Sequence, residues 1–242
     1  MNLPTLVVIP TYNEASNVLA MIERVRTATP QVDLLIVDDN SPDGTADLVE
    51  QAATSDSRIH LLSRPGKAGL GAAYRAGFAW ALERDYQVVV EMDADGSHQP
   101  EQLPRLLSAI DNADLVIGSR WVPGGAVINW PVSRKILSLG GNLYTRICLG
   151  ISIRDATGGS RAFRASAIQR IGMLDSTSQG YVFQVDNTYR AVRADLRVVE
   201  VPIEFVERSA GDSKMSKAII LEAMASVTWW SIKYRLLRRP LN

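Results

Sequence analysis

Residues 34–45 read Leu-Leu-Ile-Val-Asp-Asp-Asn-Ser-Pro-Asp-Gly-Thr. A short unbroken apolar run fits a strand covered on both faces. The acidic pair Asp38-Asp39 ends the run, and Asp43 supplies an N-cap for a helix through Val49. The same grammar recurs outward along the chain. Leu6–Ile9 ends in PTYNE (10–14), Ile59–Leu62 in RPGKAGLG (64–71), Val88–Met92 in DADGSHQP (93–100) and Leu115–Ile117 in SRW (119–121). Between the first two runs, Val18, Ile22 and Val25 fall on one helical face. Ala68–Leu82 and Glu101–Ile110 read as further helices, the second opening after Pro100. Strand–helix alternation with short connections specifies an α/β fold, a mostly parallel sheet with helices on both faces. Ligands of such sheets bind beyond the carboxyl ends of the strands, so the five polar clusters are the candidate site.

The pattern changes after the turn at Pro123-Gly124-Gly125. A basic stretch, Ser133-Arg134-Lys135, leads into an apolar helix, Ile136–Leu149; Val198–Val206 alternates as a strand, and Glu207–Ser216 reads as a loop. Lys217–Arg239 reads as a terminal helix with a basic end. The division expected is a main domain over residues 1–216 and an amphipathic helix over 217–242. That helix can lie in a membrane interface with Trp229, Trp230 and Leu237 inserted, or pack against the main domain. The longest apolar stretch, Ala218–Ile232, is too short to span a bilayer and contains Glu222. The expectation is therefore a cytoplasmic chain, peripheral on the cytoplasmic face of a membrane.

Composition narrows the function classes. Hydrophobic residues at 46% with 21% charged are ordinary globular usage and exclude a disordered chain. Lys plus Arg and Asp plus Glu number 26 each, so a bulk polycation for nucleic acid is excluded. The single Cys148 excludes an internal disulfide or a multi-cysteine zinc site, and two histidines, His60 and His98, are too few for a His-rich metal centre.

Several clusters can carry chemistry. Asp93 and Asp95, two residues apart at a strand end, can share a divalent ion of the Mg²⁺ or Mn²⁺ kind, which keeps water and binds phosphate oxygens. They can equally cap the following helix. One carboxylate of Asp38-Asp39 can accept from a ribose or base, or serve an Asx-turn. The glycine loop around Lys67 suits a phosphate but lacks P-loop spacing, and also reads as a plain turn. Arg120, Arg134, Arg208 and Lys214 would suit an anionic acceptor if folding brings them together. Tyr12 can stack on a nucleobase or sugar. Packing suffices for Trp121 and Cys148, and a loop hydrogen bond for His98.

Taken in order, VIPTYNE, VDDNSxDGT, GKxGLG, MDADGSH and GSR resemble the family-2 glycosyltransferases with the GT-A (Rossmann-like) fold. The likeness is closest to polyprenol-phosphate (dolichyl-phosphate) mannose synthases. It continues through Ser133-Arg134-Lys135, Asp155-x-Thr157-Gly158, Gly180–Gln184 and Phe205-x-Glu207-Arg208-x₂-Gly211-x-Ser213-Lys214. The resemblance implies a metal-dependent, inverting enzyme that moves mannose from GDP-mannose to a polyprenyl monophosphate and leaves a β-linked product. Pro10, Tyr12, Glu14, Val37 and Asp39, with Lys67, would hold the nucleotide-sugar. Asp93, Ala94 and Asp95 would lie along its diphosphate, with Asp93, Asp95 and Ser97 around Mg²⁺ or Mn²⁺. Arg120, Arg134, Ser138, Arg208 and Lys214 would meet the acceptor phosphate. Asp95, Arg120 and Arg134 would be the residues on which turnover depends. The stretch Gly96-Ser97-His98-Gln99 departs from relatives that carry a bulkier residue after the second Asp. Some relatives add membrane spans or use a separate membrane subunit. A polyprenyl-phosphate glucosyltransferase using UDP-glucose is the neighbouring reading. The acidic pair after Leu35-Ile36-Val37 also resembles a signalling receiver module, which lacks a strand and helix ahead of that pair.

Overall fold

The protein is described by a computed structural model covering residues 3–207 and 217–236. Its main sheet contains β1 (Thr5–Thr11), β2 (Asp33–Asp38), β3 (Ile59–Ser63), β4 (Val88–Glu91), β5 (Leu115–Ser119), β7 (Arg161–Arg164) and β8 (Val198–Pro202), in the order β3-β2-β1-β4-β7-β5-β8. All neighbours are parallel except β7, which runs antiparallel to both β4 and β5. A second, two-stranded sheet pairs β6 (Ala126–Ile128) with β9 (Glu204–Val206).

Helices cover both faces because the strands carry apolar side chains on both. One core unites Val8, Leu35 and Val89 with α3 (Leu70–Leu82) and α7 (Gly180–Arg193). The other unites Val7, Ile36 and Val90 with α1 (Val18–Ala28), α2 (Thr45–Ser55) and α4 (Leu103–Ala109). The helix expected over Glu101–Ile110 is a 3₁₀ turn at Pro100–Gln102, then α4, then a second 3₁₀ turn. The N-cap position of α2 falls on Gly44, whose φ of +84° suits glycine, while Asp43 accepts from the Thr45 N–H at 3.1 Å. α3 approaches β1 so closely that a Cβ at Gly77 would lie 2.4 Å from Val8 Cγ1.

The second half departs more from expectation. The single strand expected over Val198–Val206 divides at Ile203 into β8 and β9, which belong to different sheets. Ile203 stays buried where the chain changes direction. α5 (Val132–Leu149) begins four residues before the apolar run, at the turn set by Pro131. α6 (Ala165–Arg170) follows β7. α8 (Lys217–Trp230) continues into a π-helical segment through Leu236. Its inward residues Val227 and Tyr234 join the core, and Ser231 Oγ donates to the Cys148 carbonyl at 2.7 Å. Of the two adjacent indoles, Trp229 is exposed and Trp230 packs inward, so the packing alternative holds for Trp230. Leu237 lies outside the described residues, as does residue 216, where the two segments were expected to divide.

Candidate active site

The carboxyl ends of β1 and β2 meet in register, Pro10 opposite Val37 and Thr11 opposite Asp38. Asp38 is buried and serves the loop: Thr11 Oγ1 donates to it at 2.9 Å, and the Ser41 N–H and Oγ donate at 2.8 and 2.6 Å. Asp39 is also buried and accepts from Arg64 Nη1 at 2.5 Å. Lys67 Nζ stands 4.2 Å from the centre of the Tyr12 ring. Glu14 accepts from Asn17 Nδ2 at 2.9 Å, and its own N–H donates to Thr45 Oγ1 at 3.0 Å. The Val37 side chain is in the core, so only its backbone faces this end of the sheet. These residues gather polar and charged groups beside an aromatic ring. Arg64 gives Asp39 a fixed cationic partner, a role not assigned to it from sequence.

At the end of β4 stands the acidic pair. Tyr74 Oη, on α3, donates to Asp93 Oδ1 at 3.0 Å. Burial, reinforced by the charges of Asp93 and Glu91, pushes the Tyr74 phenol well above its ordinary pKa, so it stays a donor. The Asp93 N–H donates to His98 Nδ1 at 3.4 Å, and that nitrogen lies 3.6 Å from Asp93 Oδ2. Asp95 is set by Ser97, whose N–H and Oγ donate to Asp95 Oδ1 at 3.0 and 2.5 Å. Ser97 is itself buried and in this structure orients Asp95.

Among the described residues no group of three or more His, Cys, Asp or Glu side chains forms a closed metal cage. Two carboxylates with pre-set oxygens, at a strand end and one-third exposed at Asp93, fit a Mg²⁺ or Mn²⁺ ion that takes its remaining ligands from water and phosphate. The same set does not fit a closed zinc site.

Arg120 emerges from the end of β5. β4 and β5 point the same way with β7 between them, which puts their carboxyl ends about 10 Å apart. Arg120 is largely buried, and its fork meets Asp155: Nε to Oδ2 at 2.8 Å and Nη2 to Oδ1 at 2.6 Å, with Thr157 Oγ1 at 2.8 Å from Nη2. Burial raises the Asp155 pKa, but the Arg120 charge and hydrogen bonds outweigh it and hold it below the ordinary 3.8. Arg134, in the first turn of α5, pairs with Glu207 and lies over the Trp130 ring, 4.1 Å from its centre. Ser138 follows one turn later, and its carbonyl accepts from Asn142 Nδ2 at 3.0 Å. Arg208 and Lys214 lie outside the described residues.

A continuous stack joins the two sides. His98 forms a backbone bridge to Phe205, and their rings meet edge to face at 5.1 Å. Phe205 meets Trp130 in the same way at 5.3 Å. Below them, a Cβ on Gly159 would sit 3.2 Å from His98 Cε1 and 3.4 Å from Asp93 Oδ2. The loop holding Asp155 and Gly159 is fastened by the fully buried Arg161. Its guanidinium donates to the Ala156 and Gly158 carbonyls, each at 2.7 Å, and to the Gln184 carbonyl and Thr188 Oγ1, each at 2.9 Å. Glu91, opposite Arg161 in register, accepts from Gln184 Nε2 at 2.9 Å. Burial pushes the Glu91 carboxyl up to about 7 against the pull of Arg161 and the Gln184 hydrogen bond. The supporting residues Tyr74, Glu91 and Arg161 were not singled out from sequence. A charge inside the apolar run at residue 91 was the available signal.

Comparison with known proteins shows the family and the fold. Residues 6–172 match the family described as Glycosyl transferase family 2. The undecaprenyl-phosphate mannosyltransferase of Micrococcus luteus is 55% identical over 230 residues, 95% of each chain. The polyprenol monophosphomannose synthase of Mycolicibacterium smegmatis is 54% identical, over 96% of this chain and 88% of its own. Among solved structures, a mannosyltransferase from Pyrobaculum calidifontis in complex with GDP-Man and Mn²⁺ superposes with a TM-score of 0.60 at 16% identity, covering 100% of this chain and 77% of its own. The glucosyl-3-phosphoglycerate synthase of Mycobacterium tuberculosis, in complex with Mn²⁺, uridine diphosphate and phosphoglyceric acid, gives 0.64 at 18%, covering 98% and 78%. These two share the GT-A, Rossmann-like fold of the chain. With two relatives more than half identical along nearly their whole length, and with an acidic pair and an arginine pair on one edge of that fold, the chain belongs to glycosyl transferase family 2 and is a glycosyltransferase.

Proposed function

We propose that the chain transfers mannose from GDP-mannose to a polyprenyl monophosphate with inversion, giving the β-linked lipid phosphate. The observation that carries this reading is the meeting of Asp93–Asp95 and Arg120–Arg134 across the His98–Phe205–Trp130 stack. In this reading Tyr12, Asp39 and Lys67 take the nucleoside, and Asp93 and Asp95 hold Mg²⁺ or Mn²⁺ along the diphosphate. When bound, that ion supplies charge stabilisation to the departing diphosphate. Asp93 and Asp95 keep fixed orientations through Tyr74 and Ser97, so little reorganisation is needed as charge develops.

The attacking atom is a phosphate oxygen. A phosphate monoester has a second pKa of about 6 and is already mostly ionised at neutral pH, so no side chain need remove a proton. The chain's task is alignment of two anions whose repulsion must be offset. Arg134 would meet the acceptor phosphate. Arg120, with its fork on Asp155, would add positive potential from a fixed position. Arg134→Ala is expected to raise the KM for the lipid acceptor about tenfold or more with GDP-mannose affinity little changed. Steady-state kinetics with each substrate varied in turn checks this, and a change in GDP-mannose affinity alone would reassign the residue.

Among the described residues no helix is long and apolar enough to cross a membrane. α5 nevertheless carries an exposed apolar stripe: Val132, Ile136, Leu139, Leu143 and Ile147 recur at helical spacing, with Val132 73% and Ile147 64% exposed. Met224, Trp229 and Ile232 continue it on α8, which packs on α5 through Tyr144 and Thr228. A face of that kind suits peripheral contact with a bilayer bearing the lipid substrate. Ile136→Asp with Leu143→Asp is expected to reduce flotation with anionic liposomes several-fold. Unchanged flotation of that variant would remove α5 from the membrane contact.

A further inference from the structure

Three hydrogen-bond donors at the mouth of the arginine side are buried yet have no acceptor among the described residues: Trp121 Nε1, Trp130 Nε1 and Arg134 Nε. Two guanidinium groups lie beside them, each with a carboxylate partner, Arg120 with Asp155 and Arg134 with Glu207. The Arg134 guanidinium lies over Trp130, and the Arg120 guanidinium carbon is 5.5 Å from the Trp130 ring centre and 5.9 Å from that of Trp121. The two indoles meet edge to face at 6.5 Å. Packing alone explains the rings, but it leaves the N–H groups stranded. Buried donors in folded proteins almost always find an acceptor, because a stranded one forfeits its bond to water. Next to two guanidinium groups, the acceptor that fits is an anionic oxygen.

Resting on the acceptor reading given above, we propose that Trp121 and Trp130 are part of the acceptor site and donate their indole N–H groups to the phosphate monoester headgroup. Trp130 thereby does two things: it flanks Arg134 face-on and contributes a directional donor of its own. Glu207 pairs with Arg134 while that guanidinium lies over the Trp130 ring.

The test uses the full chain. The five tryptophans give indole N–H signals in a nitrogen–proton spectrum, with those of Trp121 and Trp130 assigned from Trp121→Phe and Trp130→Phe. Titration with a short polyprenyl phosphate is expected to move both signals downfield, with inorganic phosphate doing the same at higher concentration and GDP leaving them in place. Movement with GDP alone, or none with the lipid phosphate, overturns the proposal. Kinetics give an independent arm. Trp130→Phe keeps an aromatic ring on Arg134 but loses the donor, and should raise the acceptor KM roughly tenfold while sparing the GDP-mannose KM. A Phe variant with native melting behaviour and an unchanged acceptor KM overturns it. Should the wild type transfer no mannose yet still show indole shifts with polyprenyl phosphate, the subsite stands and the donor assignment fails.

Discussion

Asp95→Ala should leave about one-thousandth of wild-type turnover or less, a loss of about 4 kcal/mol in transition-state stabilisation. On the metal reading proposed above, the magnitude follows from how little the chain offers: two carboxylates and no cluster of three acidic, His or Cys side chains among the described residues. Asp95 reaches this site with one oxygen already fixed by the Ser97 N–H and hydroxyl, so its loss removes a positioned charge that no neighbour replaces. Folding should be little affected, because Asp95 is only half-buried at a loop. Turnover measured across a Mn²⁺ titration checks this. Near-normal activity in excess Mn²⁺ would contradict the assignment of Asp95 to the metal.

Asp155→Asn is the second large effect, and it acts on stability. Asp155 is fully buried and accepts the Arg120 backbone N–H at 2.9 Å as well as both arms of its guanidinium. Removing the charge takes away the carboxylate paired with a buried guanidinium, which costs about 3–5 kcal/mol. The Asn variant should therefore unfold at much lower urea. The pH dependence follows from the depressed folded pKa of Asp155. Its contribution is complete above the ordinary 3.8 and is lost as pH falls through the lower folded value. Wild-type stability should accordingly fall on the acid side, and the variant should show less of that fall. Urea midpoints across pH measure it; identical pH profiles for the two proteins would show that Asp155 does not carry the linkage.

The half of the molecule built on β1, β2 and β3 was legible in sequence because local and global signals agree there. Leu6–Ile9, Leu34–Val37 and Ile59–Leu62 each lie within a strand of the structure, and each polar cluster lies at a carboxyl end. β7 was invisible because Arg-Ala-Phe-Arg offers two apolar residues between two arginines. Nothing local marks Arg161 as buried; its partners are carbonyls and a hydroxyl brought in by the 156–158 loop and by α7. The residue types of Asp93, Asp95, Arg120 and Arg134 suggested anion and metal chemistry. What sequence could not supply was their distribution of tasks. Arg120 is engaged by Asp155, Ser97 by Asp95, and Asp39 by Arg64, all through contacts more than local in the fold or too specific for a motif to encode. The alternation over Val198–Val206 was real, but Ile203 hides a change of sheet, which a period-two pattern does not register.

The receiver-module reading fails on the same residues that prompted it. Asp38 and Asp39 are committed to Thr11, Ser41 and Arg64, and the chain belongs to a glycosyltransferase family.

The most direct measurement is transfer by the purified chain, supplied with Mg²⁺ or Mn²⁺, a short polyprenyl phosphate, and either GDP-mannose or UDP-glucose. Lipid-linked mannose with a β anomeric centre, formed from GDP-mannose and abolished by chelation, is the predicted product. Lipid-linked glucose in its place, an α-linked product, or transfer undiminished by chelator would contradict the account.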